Sequence, residues 1–419
     1  MKQIEKIIKP KNLNQNTLIF FGLALTLLSF LDVALLSVFD LNLLDLKGSI
    51  SIFLPLIIGF IGLFYIRFDH TNYAFINKIN KSINNDWFNS ILTILVILGI
   101  LKFTPILLNW FFFEATFVGE AKEDCTGNGA CWVFINVWLE RFIYGLYPNE
   151  EIWRLNTAFL LLIFTIISAF FVNQNIKKYI ILFLLFVFPF IAIELISGDI
   201  AGLEPVASDE WGGLALTLIV SIFAIIFCFP LGVLLAMGRR SELPVIKYFS
   251  IGFIELWRGV PLITVLFMAS NMFPIFLPED VIMEKLLRCV IGIILFEAAY
   301  MAEVVRGGLQ SLPKGQYEAA KSLGMGYWKM HVFIILPQAL KLVIPGIANT
   351  FIALFKDTPL IFIVGLLEFL GMIELAKTNP KWLGLATEGY IFAAIVYFIF
   401  CFSMSRYSQK LEKRLSTER

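Results

Sequence analysis

Lysine and aspartate stand side by side at 356 and 357, inside a run that is otherwise mostly apolar: "IANTFIALFKDTPLIFIVGLL". Ionisable side chains deep in an apolar span mark a transport route or a buried pair. Pro359 adds to the anomaly, because it withdraws one backbone N–H and leaves the Phe355 carbonyl without its usual donor. A weakened helix with a cation and an anion beside it suits a zwitterionic solute. Lys356 would face a carboxylate; Asp357, Thr358 and the freed carbonyl would face an ammonium. The competing reading is structural, with Lys356 paired to Glu297 in the preceding apolar run. Lys356 and Asp357 themselves point about 100° apart on a helix and pair poorly with each other. Glu303 and Arg306, three residues apart near a span end, read as a structural salt bridge. Arg258, ahead of another span, reads as an interfacial anchor or a partner contact.

Other chemistry is hard to build from this chain. Its two histidines, His70 and His331, are far apart, so a histidine-based metal site is not expected. No phosphate loop of the form G-x4-G-K-[ST] occurs, and "RGGLQS" lacks both the lysine and the strand context. No basic patch with interleaved aromatics suggests nucleic acid. Carboxylates, nucleophiles and metal ligands nowhere cluster as an enzyme embedded in a membrane would need. Of five cysteines, Cys228, Cys289 and Cys401 lie in apolar runs, where cysteine behaves as a small hydrophobe. Cys125 and Cys131 share the polar loop "EDCTGNGACW", whose Thr-Gly-Asn-Gly favours a tight turn. On the oxidising side of a membrane they are expected to form a disulfide that staples the loop.

The elements that must position these residues are membrane spans. Of 419 residues 59% are hydrophobic and 16% charged, against about half and a quarter in an ordinary soluble domain. The fold expected is all-α and polytopic. About ten runs are long enough to cross roughly 30 Å of hydrocarbon. They lie near 18–39, 49–66, 88–110, 156–173, 178–196, 213–237, 260–278, 286–306, 342–371 and 389–406. With the N terminus inside, roughly 23 of the 33 Lys and Arg residues fall in or beside inside segments, against about 8 outside. Both termini are then cytoplasmic, and 238–259 and 307–341 are inside loops. Residues 1–205 form an N-terminal five-span extension with an outside loop near 114–153; "WVFINVWLERFIYGLYP" within it suits a helix at the membrane boundary. Residues 206–419 carry most of the unusual polar residues. The halves show no convincing repeat, so an inverted-repeat carrier is not supported.

Between the eighth and ninth spans lies "QYEAAKSLGMGYWKMHVFIILPQ". Glu318 to Leu323 is good helix sequence. Gly324 can end it in a left-handed conformation, Tyr327 to Ile335 can form a second short helix, and Pro337 marks the entry to the next span. The loop is long, and Ala319, Ala320, Leu323, Trp328 and Val332 make it apolar on one side. An exposed patch of that kind points to a partner.

The spacing Glu318-Ala319-Ala320, Gly324, Ile334-x-Leu336-Pro337 fits EAA-x3-G-x9-I-x-LP at every fixed position. It resembles the EAA loop, here 312–338, of ABC-transporter permease subunits. "ELWRGVPLITVLF", "AAYMAEVVRGGLQSLPKGQYEAAKSLGM" and "LPQALKLVIPGIANTFIALFKDTPL" resemble the polar amino acid permeases over about 210–408. "GACW", "YPNEEIWR" and "KDTPLIFIVGLLEFLG" resemble one branch, the general L-amino acid permeases; Pro359 departs from that branch's more usual threonine. The resemblance implies a C-terminal five-helix core of the type I ABC importer, with the EAA loop as a cytoplasmic coupling helix. It implies an importer subunit in a bacterial inner membrane, not an enzyme itself. No cofactor is bound by this chain; ATP and Mg belong to a separate ATPase dimer. Further implied partners are a second, different permease chain, an extracytoplasmic amino acid-binding protein and membrane lipid. The alternative function is a stand-alone channel or ion-coupled carrier, for which the EAA loop has no task.

Overall fold

The computed structural model describes residues 87–198, 202–278, 281 and 283–416. The expected spans at 18–39 and 49–66, and His70, lie outside the described residues. Among the described residues the regular structure is helical, and β pairing is confined to isolated bridges. Closed backbone hydrogen bonding within each segment is what a lipid environment demands. By contacts the chain falls into two compact units. One comprises 1–116 with 126–130; the other comprises 117–125 with 131–419. In the first, α1 (Trp87–Leu108) runs into a π turn, Asn109–Phe113. The Ala130 N–H donates to the Trp110 carbonyl at 2.8 Å, and the Thr116 N–H to the Ala130 carbonyl at 2.9 Å.

The second unit contains α2 (Val133–Tyr144), α3 (Ile152–Phe171), α4 (Gln174–Phe186), α5 (Phe188–Ser197), α6 (Gly213–Arg239), α7 (Pro244–Gly259) and α8 (Leu262–Phe267). It continues with α9 (Lys285–Ser311), α10 (Lys314–Ser322), α11 (Tyr327–Met330), α12 (Leu336–Leu342), α13 (Ile344–Asp357), α14 (Phe369–Lys377) and α15 (Ala386–Ser416). Among the described residues five helices are long and apolar enough to cross a membrane, and two bent pairs raise this to seven. The 27-residue α9 is as long as α6 but carries more charge. Together these coincide with the eight spans expected between 88 and 406.

Helices α6 and α9 form the spine of the bundle. Lipid tails give no hydrophobic drive for helices to associate, so close backbone approach through small residues must supply dispersion contact. Ala215, Ala224, Gly232 and Ala236 on α6, and Ala298, Ala299 and Ala302 on α9, are buried. A Cβ at Gly232 would stand 2.7 Å from the Met301 Cβ and 3.1 Å from the Ala298 carbonyl. Only glycine permits that spacing.

Three departures from the expected topology have local causes. The segment 238–259, expected to be a loop, contains helix α7, and α7 meets the Leu262–Phe276 segment at 102° instead of prolonging it. Pro261, ahead of α8, cannot continue a hydrogen-bonded helix from α7. The ninth span does not run through 342–371 as one helix: α13 tightens into a 3-10 turn, Thr358–Val364, and stops at Gly365, whose φ is +82°. The boundary helix α2 belongs with the larger unit rather than with an N-terminal half ending at 205. Phe134 and Phe142 are fully buried there; the Phe134 ring lies 5.7 Å from Trp382 and the Phe142 ring 5.9 Å from Phe392.

Candidate functional site

The EAA loop is a helix–turn–helix. After Pro313, α10 carries Glu318 and Ala319 exposed and Ala320 buried at 1% exposure. Successive residues point about 100° apart, so two adjacent alanines do opposite jobs. Ala320 joins the core that holds Met330, Ile335 and Ala339. At the helix end Gly324 adopts φ +73°. Its N–H donates to the Lys321 carbonyl at 2.9 Å, and the Met325 N–H reaches back to the Ala320 carbonyl at 3.2 Å. This double closure satisfies carbonyls the helix leaves open, and it fixes the angle at which the chain leaves.

The second arm is longer than the short helix expected over 327–335. α11 passes through a π turn, His331–Ile335, directly into α12, whose first residues are Leu336 and Pro337. Pro337 has no N–H for the Phe333 carbonyl, and the helix widens just ahead of it. Ile334 is half-buried against the core. The outer surface of the loop presents Leu323 at 79% exposure and Phe333 at 73%, with Tyr327, Trp328 and Val332 between them. That is a concentrated apolar surface on a polar segment.

At mid-span the polar residues are arranged differently from the expected pair. Along α12 and α13, Lys341, Pro345, Asn349, Ala353 and Lys356 are all exposed. Their spacing of three or four residues makes one stripe. By contrast, the exposed face of α15 carries Ile395, Phe398, Ile399 and Phe402, as lipid contact requires. Lys356 forms no ion pair with Glu297, so the structural pairing expected as an alternative is corrected. Lys356 lies on the open side of α13, whereas Glu297 is only 3% exposed inside the α6–α9 packing. The expected free carbonyl is also corrected: the Thr358 hydroxyl donates to the Phe355 carbonyl at 2.8 Å, replacing the donor that Pro359 removed. Thr358 is fully buried and so is committed to its own backbone.

Closer to the EAA loop, Glu303 gathers three arginines. Its Oε1 is 2.7 Å from Arg239, and its Oε2 is 2.6 Å from Arg306 and 4.0 Å from Arg258. Arg239 also reaches Glu255 at 3.0 Å. The Arg258 guanidinium lies 5.6 Å over the Tyr300 ring. The pair Glu303–Arg306 is therefore part of a network that ties the ends of α6, α7 and α9. Arg258 belongs to it rather than standing alone as an anchor.

Residues 228–417, which include the EAA loop and the mid-span charges, match the family described as "Binding-protein-dependent transport system inner membrane component". The inner membrane amino-acid ABC transporter permease protein YhdY of Escherichia coli (strain K12) is 52% identical over 342 residues, covering 81% of this chain and 93% of that protein. The glutamate/glutamine/aspartate/asparagine transport system permease protein BztC of Rhodobacter capsulatus is 39% identical over 347 residues, covering 70% of this chain and 80% of that protein. The chain belongs to this family. It is a membrane permease subunit of an ABC transporter. The glutamate/aspartate import permease protein GltK of Escherichia coli O157:H7 matches over 209 residues at 32% identity, 48% of this chain and 91% of that one.

At the far ends of α6, α13 and α15 the permease carries two features, one of which the sequence did not disclose. Cys125 and Cys131 are joined by a disulfide, with Cα atoms 5.6 Å apart. The loop is further fixed by the Cys131 N–H, which donates to the buried Glu388 at 3.2 Å, and by Lys122, which donates to the Leu383 carbonyl at 2.6 Å. Asp124 accepts from the backbone N–H groups of Glu120 and Ala121, and those bonds hold its carboxyl below the usual range. The undisclosed feature is Glu368, which is fully buried ahead of α14. It accepts from the N–H groups of Leu370 at 2.9 Å and Gly371 at 2.7 Å. The Thr217 hydroxyl, on α6, stands 3.3 Å away, and the Tyr397 hydroxyl, on α15, donates to it at 3.2 Å. One carboxylate thus caps α14 and joins it to two spans. Glutamate is not among the favoured N-cap residues, so no pattern announced it.

Proposed function

We propose that this permease imports L-amino acids, drawing energy from a separate ATPase dimer seated on the EAA loop. It shares the membrane route with a second, different permease chain and receives its solute from an external binding protein. Both termini and the EAA loop are cytoplasmic, and the disulfide loop is outside; the asymmetry of Lys and Arg supports this orientation. ATP and Mg are bound by the partner. The names of the relatives YhdY, BztC and GltK support amino acids as the solute class.

The observation that carries this reading is the stripe ending at Lys356. A lysine facing lipid at the centre of a span costs about 2.5–3.5 kcal/mol. Small and polar neighbours on the same stripe favour a lining role over a lipid face with one misplaced charge. On this reading Lys356 faces a watered route bounded by the second permease chain. With Asp357 beside it, the site offers one cation and one half-buried carboxylate, and Glu297 stands behind them inside the α6–α9 packing. Lys356 meets the solute's carboxylate, and Asp357 balances its ammonium. Thr358 shapes the bend by holding the Phe355 carbonyl.

The test is Lys356→Met in the complex purified with its ATPase. Assembly yield should match the parent, because no buried carboxylate is stranded. Uptake of labelled L-amino acids into vesicles should fall about 10- to 150-fold, the factor for losing a hydrogen bond to a charged group. Normal uptake by a normally assembled variant refutes the route assignment.

A further inference from the structure

A phenol in the EAA loop, Tyr317, joins elements that the motif itself does not mention. Its hydroxyl donates to the Leu309 carbonyl at 3.0 Å, in the last turn of α9. The same oxygen accepts from the Arg240 guanidinium at 3.0 Å, and Arg240 caps the end of α6. The guanidinium also lies 5.3 Å over the Tyr317 ring, so the two side chains meet along an edge and across a face. On its other side the Tyr317 ring stands edge-on to His331 at 6.2 Å. His331 is buried, its Nδ1 is 2.9 Å from the Tyr327 carbonyl, and its ring lies 4.1 Å from that of Tyr327. A second strap runs alongside: the Gln338 amide donates to Gln316 at 3.2 Å and to the Ile334 carbonyl at 2.9 Å.

These contacts divide the loop's work. The residues that define the EAA spacing shape the turn and present its outer surface. None of them makes a side-chain hydrogen bond to α6. Tyr317 is where the first arm, the second arm, α6 and α9 come together. We infer that Tyr317, held by Arg240 and backed by His331, is a positioning residue that locks the coupling helix α10 to the ends of α6 and α9, so that motion of the ATPase reaches the spans instead of being absorbed in the loop. Motion passes between elements only when the joint between them is stiff. A helix of nine residues held by its chain ends and by one buried alanine, Ala320, would be a loose joint, and the hydrogen-bonded phenol removes that freedom.

The inference rests on the reading of the EAA loop as the ATPase contact, and the experiment separates the two. The parent chain, Tyr317→Phe, Arg240→Gln and Arg240→Lys are each purified with the ATPase and reconstituted in vesicles. The readouts are the amount of ATPase retained, and the amount of an equimolar mixture of labelled L-amino acids taken up per ATP hydrolysed. Tyr317→Phe keeps the ring against His331 and loses only the hydroxyl. It should retain the ATPase and lose about 30-fold in uptake per ATP, the equilibrium factor of two hydrogen bonds of about 1 kcal/mol each. Arg240→Gln, which gives up one of the two, should lose about fivefold, and Arg240→Lys, which keeps a charged donor, should recover much of that loss. A residue that merely supported the fold would lower yield without moving the ratio. Should Tyr317→Phe fail to assemble, the exposed Arg240 decides: an unchanged ratio in Arg240→Gln overturns the inference. An unchanged ratio in an assembled Tyr317→Phe overturns it too. If the parent chain retains no ATPase, the coupling reading itself fails and takes this one with it.

Discussion

Gly324 allows the cost of one backbone conformation to be isolated from packing. Its φ is +73°, and an added Cβ would meet no atom within 4 Å. Substitution therefore adds no clash, and whatever it does must come through the left-handed backbone. That conformation costs an L-residue about 1–2 kcal/mol, with β-branched side chains at the upper end and asparagine well below. Two backbone hydrogen bonds, Gly324 to Lys321 and Met325 to Ala320, exist only while the turn is formed. Each contributes about 0.5–1.5 kcal/mol, so the turn is worth a sum of the same order as the penalty. Gly324→Val should open it in a large fraction of molecules, Gly324→Ala in fewer, and Gly324→Asn in almost none. Protein yield and thermal unfolding of the spans should be unaffected, because Gly324 itself touches nothing in the core and the contacts of Ala320 and Tyr317 lie before the turn. The assay is uptake per ATP hydrolysed in reconstituted vesicles, with hydrogen exchange of Leu323–Gly326 as the direct reporter of the turn. Uptake per ATP should order as glycine, asparagine, alanine, valine. Equal loss in all three variants would refute the backbone argument and show that the surface at Gly324 must be bare for a partner. Parental behaviour in the valine variant would remove the turn from the coupling mechanism altogether.

Glu368→Ala should destabilise the permease by about 2–4 kcal/mol, the sum of a lost cap and a stranded Tyr397 hydroxyl, and Glu368→Gln by clearly less. Thermal unfolding of the purified protein reads this directly, and an alanine variant as stable as the glutamine one would contradict it. At His331, burial holds the imidazole below the ordinary histidine value of about 6.5; the Tyr327 carbonyl bond opposes this and the Arg240 charge adds to it. The unfolded chain therefore takes up the proton first, so stability is constant above about pH 6.5 and falls as pH drops below it. The parent should lose more melting temperature between pH 7.5 and 5.5 than His331→Phe, and equal losses would contradict the assignment.

The EAA loop was legible because its residue types are tied to backbone geometry: a left-handed glycine, a proline at a helix start, and alanines where helices pack. The division of labour between Ala319 and Ala320 was not, since spacing fixes their relative angle but not which one faces inward. For the same reason the Lys356–Glu297 pair looked reasonable in sequence. Whether two spans present charges to each other depends on how each is rotated, and the packing of α13 turns Lys356 outward. Hydropathy overstates the ninth span, because it follows oiliness and "IFIVGLLEFLG" stays oily while the helix tightens, stops at Gly365 and restarts behind Glu368. Helix α7 was missed because "RRSELP" looks like a loop; its apolar residues are interrupted, and only Ser250 and Ile254 are buried. Arg240 and Tyr317 left no trace at all, because their meeting joins segments 77 residues apart.

The two helices that carry the mid-span charges both end at the EAA loop, and that connectivity has a mechanical consequence. Glu297 lies on α9, 14 positions before its last residue Ser311, and α10 begins at Lys314. Lys356 lies 12 positions beyond the first residue of α13, Ile344, which follows α12 after one non-helical residue, Val343. At 1.5 Å per residue these are levers of about 21 and 18 Å. A tilt of about 10° at the loop would displace the charged ends by roughly 3–4 Å, about the distance over which a carboxylate gains or loses a direct contact. Neither lever has to flex, and no chain of intermediate contacts is required. If Asp357 meets the solute's ammonium as proposed, a change in the angle between α13 and α9 changes how closely it does so, and the loop that sets the angle is the one whose outer surface is open to a partner.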